Sequence, residues 1–146
     1  MYAGLEVIEV PGVTGWLDTD YAAKANHALR ELQNRDIVYV HVEAPDEASH
    51  SGDLQAKVEA IERFDSLLLG TLLEGLEAIP EYRILIMPDH ATPLALKTHN
   101  SEPVPFLYFD PARTGARDQS FDEDSAAASG LTFDRGWELM EWFLKG

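Results

Sequence analysis

Apolar residues recur at two spacings along this chain, and each spacing predicts a different kind of element. Apolar, β-branched runs predict four strands, at residues 4–10, 36–44, 82–87 and 103–109. Apolar positions three or four residues apart predict three helices, at residues 18–34, 51–79 and 134–145. The alternation of strands and helices is typical of an α/β fold with a mostly parallel sheet and right-handed crossovers.

Two segments carry more specific expectations. The run at residues 36–44 is almost wholly apolar, so it is predicted to be a central strand that is covered on both faces. Residues 110–130 are polar, acidic and small, and are predicted to form a mobile surface excursion. No internal repeat or linker interrupts the sequence, and its length fits one domain with a real core.

Composition narrows the classes of function. The 146 residues carry a formal net charge of -15, which argues against nucleic-acid and anionic-membrane partners and suits a protein that collects cations. Cysteine is absent, so disulfides and thiolate metal sites are excluded. No apolar run approaches the roughly 20 residues of a membrane span. The first residues also lack the basic start of a signal peptide, so the cytoplasm is the default location.

Residues of the metal-binding type follow the predicted strands. Asp46 and His50 come directly after the second strand, Asp89 and His90 directly after the third, and His99 precedes the fourth. Because sites in open α/β sheets gather beyond the carboxyl ends of strands, these five residues are predicted to converge. Carboxylate and imidazole without thiolate suit Mn²⁺, Zn²⁺ or a similar divalent ion.

Each of these residues also has an ordinary explanation. A single aspartate after a strand is usually a turn former or helix cap, and an isolated loop histidine is usually solvated. Their joint placement favours a metal site over those explanations. The other two histidines are interpreted as structural, with His27 solvated on a helix and His41 packed within the central strand. Ser49 flanks His50, but neither a nucleophile elbow nor a phosphate-binding glycine loop is present.

Four stretches together resemble a known family. They are "VPGVTGWLDTDYAAKA", "VHVEAPDEASHSGDLQAKVEAIERFD", "RILIMPDHATPLALKTH" and "EPVPFLYFD". They are similar to the carboxyl-terminal part of cofactor-independent phosphoglycerate mutases of the archaeal type, within the alkaline phosphatase superfamily. The resemblance covers residues 4–110 and extends to the closing helix. Ser49 stands where glycine is common in the family, and Lys97 where arginine is common.

The resemblance implies a fold, an activity and a ligand set. The fold is a three-layer α/β/α arrangement, of which residues 1–146 would be the incomplete carboxyl-terminal part of the metal-binding domain. The family interconverts 3-phosphoglycerate and 2-phosphoglycerate through a phosphoserine and two divalent ions, with manganese expected first and zinc, cobalt or magnesium as alternatives. By position, Asp46, His50 and His99 resemble the ligands of one ion, and Asp89 and His90 resemble ligands of the other.

The same resemblance implies what lies outside this sequence. The serine nucleophile and the substrate-binding domain have no counterpart in the matching stretches, so this chain alone is expected to be inactive. It is also expected to self-associate or to pair with the amino-terminal part of its parent. Two alternatives stay open: another phosphoester or phosphonate enzyme of the superfamily, and a stand-alone metal-binding module without catalysis.

Overall fold

A computed structural model describes residues 4–113 and 120–145, which belong to two compact units. The first unit takes in the chain up to Ile79 together with Thr92–Thr98. The second unit takes in Pro80–Ala91 together with the chain from His99 onward. No helix in the described ranges combines the length and the apolar character that a bilayer span requires.

The first unit is helical. Its elements are α1 (Tyr21–Glu31), α2 (Ala44–Ser51), α3 (Leu54–Arg63), a π-helix (Phe64–Leu69) and α4 (Gly70–Leu76). Helix α1 begins where the Asp20 carboxylate accepts a hydrogen bond from the Ala23 N–H at 2.8 Å. The helix predicted at residues 18–34 is therefore confirmed, with shorter bounds.

The long helix predicted at residues 51–79 is confirmed from Leu54 to Leu76, where α3, the π-helix and α4 follow one another without a break. Gly52 has a φ of 77° and ends α2, so Ser51 closes that helix instead of starting the next one. Helix α3 has its own amino-terminal cap, because the Asp53 carboxylate accepts from the Ala56 N–H at 3.0 Å.

The π-helix changes which apolar residues of this region are buried. Its i→i+5 hydrogen bonds widen the turn, so side chains on either side of it no longer follow one 3.6-residue repeat. Leu68 and Leu76 are 2% and 4% exposed, whereas Val58 and Ile61 are 44% and 50% exposed. The single apolar stripe predicted for this region is therefore confirmed only in its second half.

The core of the first unit is built largely from small side chains. Its buried members are Tyr21, Ala25, Ala44, Ala60 and Leu68, and Leu17, Val40, Val42, Phe64 and Leu72 pack against them. Alanine at these positions lets helix backbones approach closely, which raises packing density but leaves little room for larger residues.

Gly75 on α4 provides a test of this close packing. A Cβ atom there would lie 2.2 Å from Leu29 Cδ1 of α1 and 3.0 Å from Leu29 Cγ. We expect Gly75→Ala to lower the free energy of unfolding by about 1–3 kcal/mol through overpacking. The matched control is Gly70→Ala, whose Cβ would come no nearer than 3.7 Å to Asp65 O.

The control substitution should raise the free energy of unfolding by about 0.5–1 kcal/mol, because alanine is the better helix former. Urea unfolding of the two variants measures both effects. Equal or opposite changes would show that α1 does not pack against Gly75 as the structure has it.

The strands predicted at residues 4–10 and 36–44 are wrong for this chain. Neither segment is a strand, and residues 37–42 make no backbone–backbone hydrogen bond to any other described residue. A strand exists only through pairing with a neighbour, which an apolar pattern cannot supply. The period of two is nevertheless present, because Val38, Val40 and Val42 are half-buried while the residues between them are exposed.

The second unit contains the only sheet among the described residues. Strands β1 (Ile84–Ile86) and β2 (Leu107–Phe109) pair antiparallel, with Leu85 opposite Tyr108. Both strands were predicted, within longer bounds; the mostly parallel sheet expected around them is not confirmed by this antiparallel pair. A parallel pair needs a crossover that is usually helical, whereas residues 87–106 contain no helix. The combination of helices and a two-stranded sheet agrees with the α/β class, but does not confirm a three-layer parallel sheet.

Two helices complete the second unit. Helix α6 (Gly136–Lys145) confirms the closing helix predicted at residues 134–145. Its packing is aromatic: edge and tilted ring contacts join Phe106, Tyr108, Phe133, Trp142 and Phe143. Helix α5 (Glu123–Ser129) corrects the excursion predicted at residues 110–130, because the Asp122 carboxylate caps it by accepting from the Ser125 N–H. Residues 114–119 of that excursion lie outside the described residues.

Asp110 fixes the turn that follows β2. It accepts hydrogen bonds from the Ala112 N–H at 2.9 Å and from the Tyr108 hydroxyl at 3.1 Å. The Ala112 N–H is the main reason why the pKa of Asp110 is lowered, and Tyr108, Arg83 and Arg113 add to it against the opposing effect of desolvation. The turn is thereby tied to β2 and to the start of β1.

Candidate metal centre

Asp46 and His50 lie one helical turn apart on α2, in the first unit. The spacing of four residues puts both side chains on one face of the helix, and Asp46 Oδ2 is 3.2 Å from His50 Nε2. The sequence had placed both residues in a loop. The segment is helical instead, because Pro45 is tolerated in the first turn, where its missing N–H has no helical partner.

Thr92 holds the Asp46 carboxylate, and Lys57 in turn holds the Thr92 backbone. The Thr92 hydroxyl donates to Asp46 Oδ1, and Thr92 itself is only 7% exposed. The Lys57 ammonium in turn donates to the Thr92 carbonyl oxygen at 3.0 Å. With Oδ1 held by the hydroxyl, the carboxylate is oriented so that Oδ2 is directed at His50.

The imidazole of His50 is oriented by the backbone carbonyl of Lys97. His50 Nδ1 lies 2.9 Å from the Lys97 carbonyl oxygen. A carbonyl can only accept, so this contact requires a proton on Nδ1 and leaves Nε2 as the nitrogen that faces Asp46. Metal-binding histidines usually have their second nitrogen held in this way.

The spacing of the two ligand atoms fits a shared divalent ion. Two ligand atoms each about 2.1 Å from one ion are about 3.0 Å apart at a right angle and about 3.4 Å apart at the tetrahedral angle. The separation of 3.2 Å between Asp46 Oδ2 and His50 Nε2 falls within that interval. The separation of these two atoms is therefore one that two ligands of a single divalent ion would have.

The second unit brings together the other three predicted residues. The backbone N–H of His90 donates to Asp89 Oδ1 at 3.1 Å. The ring nitrogen His90 Nε2 lies 3.5 Å from the same oxygen. The rings of His90 and His99 stack with centroids 3.7 Å apart and planes 29° apart. An antiparallel bridge between Ala91 and Asn100, the next residue along from each histidine, holds the two histidines side by side.

This stacked pair has the chemistry of a cation site. Asp89 adds a carboxylate to the two rings. Taken unit by unit, Asp46 lies beside His50 in the first, and Asp89 and His99 lie beside His90 in the second.

The remaining residues considered from the sequence have structural roles. Ser49 is 0% exposed, and its hydroxyl donates to the Pro45 carbonyl at 2.7 Å, so it is closed off as a nucleophile. His41 was predicted to be packed, but its side chain is 47% exposed and stacks on Tyr39. His27 was predicted to be solvated; it is partly buried, and its Nδ1 lies 2.8 Å from the Ala23 carbonyl oxygen.

Three residues of the site were missed by reasoning from the sequence. Thr92, Lys57 and Lys97 hold the ligands without being ligand types themselves, so no ligand pattern indicates them. Of the three, Thr92 was the most predictable from the sequence, because it is a small polar residue two positions after the predicted ligand His90. The contacts of Lys57 and Lys97 join residues that are 35 and 47 positions apart, which no local pattern reveals.

Comparison with known proteins places this geometry in a family. The family model described as the Metalloenzyme superfamily matches residues 1–133. The chain belongs to the Metalloenzyme superfamily. Membership of this superfamily agrees with the carboxylate and imidazole groups found in both units.

Relatives within the Metalloenzyme superfamily carry a more specific name. A protein of Geobacter sulfurreducens named "probable 2,3-bisphosphoglycerate-independent phosphoglycerate mutase" is 49% identical over 143 residues, which is 97% of this chain and 36% of the relative. A phosphoglycerate mutase of the same type from Methanosarcina acetivorans is 46% identical over 99% of this chain and 37% of the relative. The family resemblance inferred from the sequence is thereby confirmed.

A solved structure supports the same placement. The PH0037 protein of Pyrococcus horikoshii is 32% identical and superimposes with a TM-score of 0.77, over 86% of this chain and 37% of that one. This chain of the Metalloenzyme superfamily thus spans little more than a third of the length of the relatives it matches.

Proposed function

We propose that this chain is the metal-binding part of a cofactor-independent phosphoglycerate mutase. The observation that carries the proposal is its likeness to proteins of that name, at 42–49% identity over 97–99% of the chain for several of them. The substrate of the whole enzyme is then a phosphoglycerate, and its location the cytoplasm. The chain's strong negative charge agrees with a site that gathers cations.

Five residues are proposed as metal ligands. Asp46, His50 and His99 would bind one divalent ion, and Asp89 and His90 would contribute to a second, with manganese as the first choice of metal. The oxygen and nitrogen donors of these residues support such ions, since the set contains no thiolate. When bound, the ions supply positive charge that stabilises the transferring phosphoryl group and lowers the pKa of a nucleophile.

The other residues of the site contribute orientation. Thr92 and Lys57 hold the Asp46 carboxylate, and the Lys97 carbonyl holds the His50 ring, so these two ligands are aligned before an ion arrives. Alignment in advance reduces the entropy that binding must overcome. The burial of Ser49 supports a nucleophile from outside these 146 residues, where the substrate-binding domain is also placed.

The proposed architecture extends beyond the elements described. In the whole enzyme we place this chain in a three-layer α/β/α domain, as its carboxyl-terminal part. The alternating burial at residues 37–43 supports a strand position in such a sheet, because one face already packs against the helical core.

Complementation tests the proposed activity. The purified chain is mixed with the part of the Geobacter relative that it does not match, and conversion of 3-phosphoglycerate to 2-phosphoglycerate is followed with Mn²⁺. We expect isomerisation from the mixture and none after the metal is removed by a chelator.

Two other outcomes would contradict the proposal in different ways. Hydrolysis of phosphoesters or phosphonates without isomerisation would assign the chain to another enzyme of the superfamily. Association and metal binding with no turnover of any of these substrates would favour a metal-binding module.

A further inference from the structure

Lys97 has an unusual backbone conformation next to the candidate metal centre. Its φ of 53° makes it the only non-glycine residue with positive φ among residues 4–113 and 120–145. Long side chains rarely adopt this left-handed conformation, since their Cβ then crowds the following carbonyl oxygen. The carbonyl oriented by this conformation is the one that His50 Nδ1 meets at 2.9 Å.

The side chain of Lys97 has contacts that help to hold this conformation. Its ammonium donates to the Ser51 carbonyl oxygen at 3.1 Å, at the carboxyl end of α2, where a positive charge is favourable. The Lys97 side chain passes so close to Gly52 that a Cβ atom on Gly52 would lie 2.3 Å from Lys97 Cε. Lys97 therefore contacts the end of the same helix that carries Asp46 and His50.

We propose that Lys97 is a positioning residue that selects the nitrogen His50 presents to a cation. Its left-handed backbone directs the carbonyl at Nδ1, so Nδ1 keeps its proton and Nε2 faces Asp46 Oδ2. The ammonium stabilises this conformation through its hydrogen bond to the Ser51 carbonyl. The consequence for metal affinity rests on the proposed function, whereas the orientation of His50 does not.

Two substitutions separate the backbone of Lys97 from its side chain. Lys97→Gly and Lys97→Val both remove the ammonium, but glycine accepts positive φ freely and valine resists it strongly. If the carbonyl positions His50, the glycine variant keeps the orientation and the valine variant loses it. Unfolding curves of both variants show whether they are folded, and Lys97→Ala replaces the valine variant if that protein does not fold.

The first measurement needs no metal. Long-range ¹H–¹⁵N spectra of the metal-free chain report which ring nitrogen of each histidine carries the proton, and how fast that proton exchanges. We expect a slowly exchanging His50 Nδ1 proton in the unchanged chain and in Lys97→Gly, and fast exchange in Lys97→Val. Identical spectra for the two variants would overturn the proposal.

The second measurement uses Zn²⁺ as the probe, in competition with a chelator. Disturbing a group that orients a metal ligand typically weakens binding about 10–100-fold, so we expect a loss of that size in Lys97→Val and about threefold or less in Lys97→Gly. Equal affinities in the two variants would overturn the positioning role. Absence of Zn²⁺ binding in the unchanged chain would instead count against the proposed function, and the proton exchange result would stand by itself.

Discussion

Replacing His50 and His99 together by alanine is expected to strip the chain of its tightly bound divalent ion. Both residues are proposed ligands of the same ion, and Asp46 alone would leave its coordination to water. The apparent affinity should fall by on the order of 10²-fold or more, beyond the loss typical of disturbing an outer residue. Elemental analysis after dialysis against a fixed low concentration of Mn²⁺ measures the change.

The matched control for this variant is His27→Ala with His41→Ala. It removes the same number of imidazoles, one on α1 and one beside Tyr39, and neither is a proposed ligand. Metal content should match that of the unchanged chain. Equal metal content in the His50 and His99 variant and its control would rule out the assignment of those two residues.

The chain on its own is expected to leave 3-phosphoglycerate unchanged, even when saturated with Mn²⁺. Phosphoryl transfer at such a site depends on a nucleophile held in place, and positioning of this kind corresponds to an effective molarity on the order of 10⁵ M or more. The two serines that flank His50 both donate their hydroxyls to backbone carbonyls of α2: Ser49, which is buried, to Pro45, and Ser51 to Ala48. Only metal-promoted background reaction should remain.

The assay compares the chain, the His90→Ala variant and a metal-only blank. All three should give the same rate. Turnover by the unchanged chain that disappears in His90→Ala would place the nucleophile inside these 146 residues, and Ser49 would then have to become accessible.

The sequence predicted those elements whose cause is local. The helix at residues 18–34 has both an aspartate cap and an apolar repeat, so it was located to within three residues at each end. The run at residues 36–44 has an equally clear pattern, but a strand needs a partner that the pattern does not contain. The antiparallel pairing of β1 and β2 was missed for the same reason, because direction is decided by the path of the connecting residues.

In the candidate site, too, local features were predicted and contacts between distant residues were missed. Asp46 and His50 were identified by residue type, and their spacing of four suits a helix face as well as it suits a loop. They were predicted to lie in a loop because they directly follow residues 36–44, which were predicted to be a strand. Thr92 and Lys97 act through contacts with residues that are distant in sequence, which become visible only in the folded chain.

The bond between His50 and Lys97 also bears on the order of events in folding. It closes a loop of 47 residues, within which the chain leaves the first unit, forms β1 and returns. The entropy of closing such a loop is offset only when α3, the π-helix and α4 have packed, so the orientation of His50 is a late event. A peptide that contains α2 alone would have both ligands and no means of aligning them, and a metal ion added early in refolding would meet a binding helix that is not yet prepared for it.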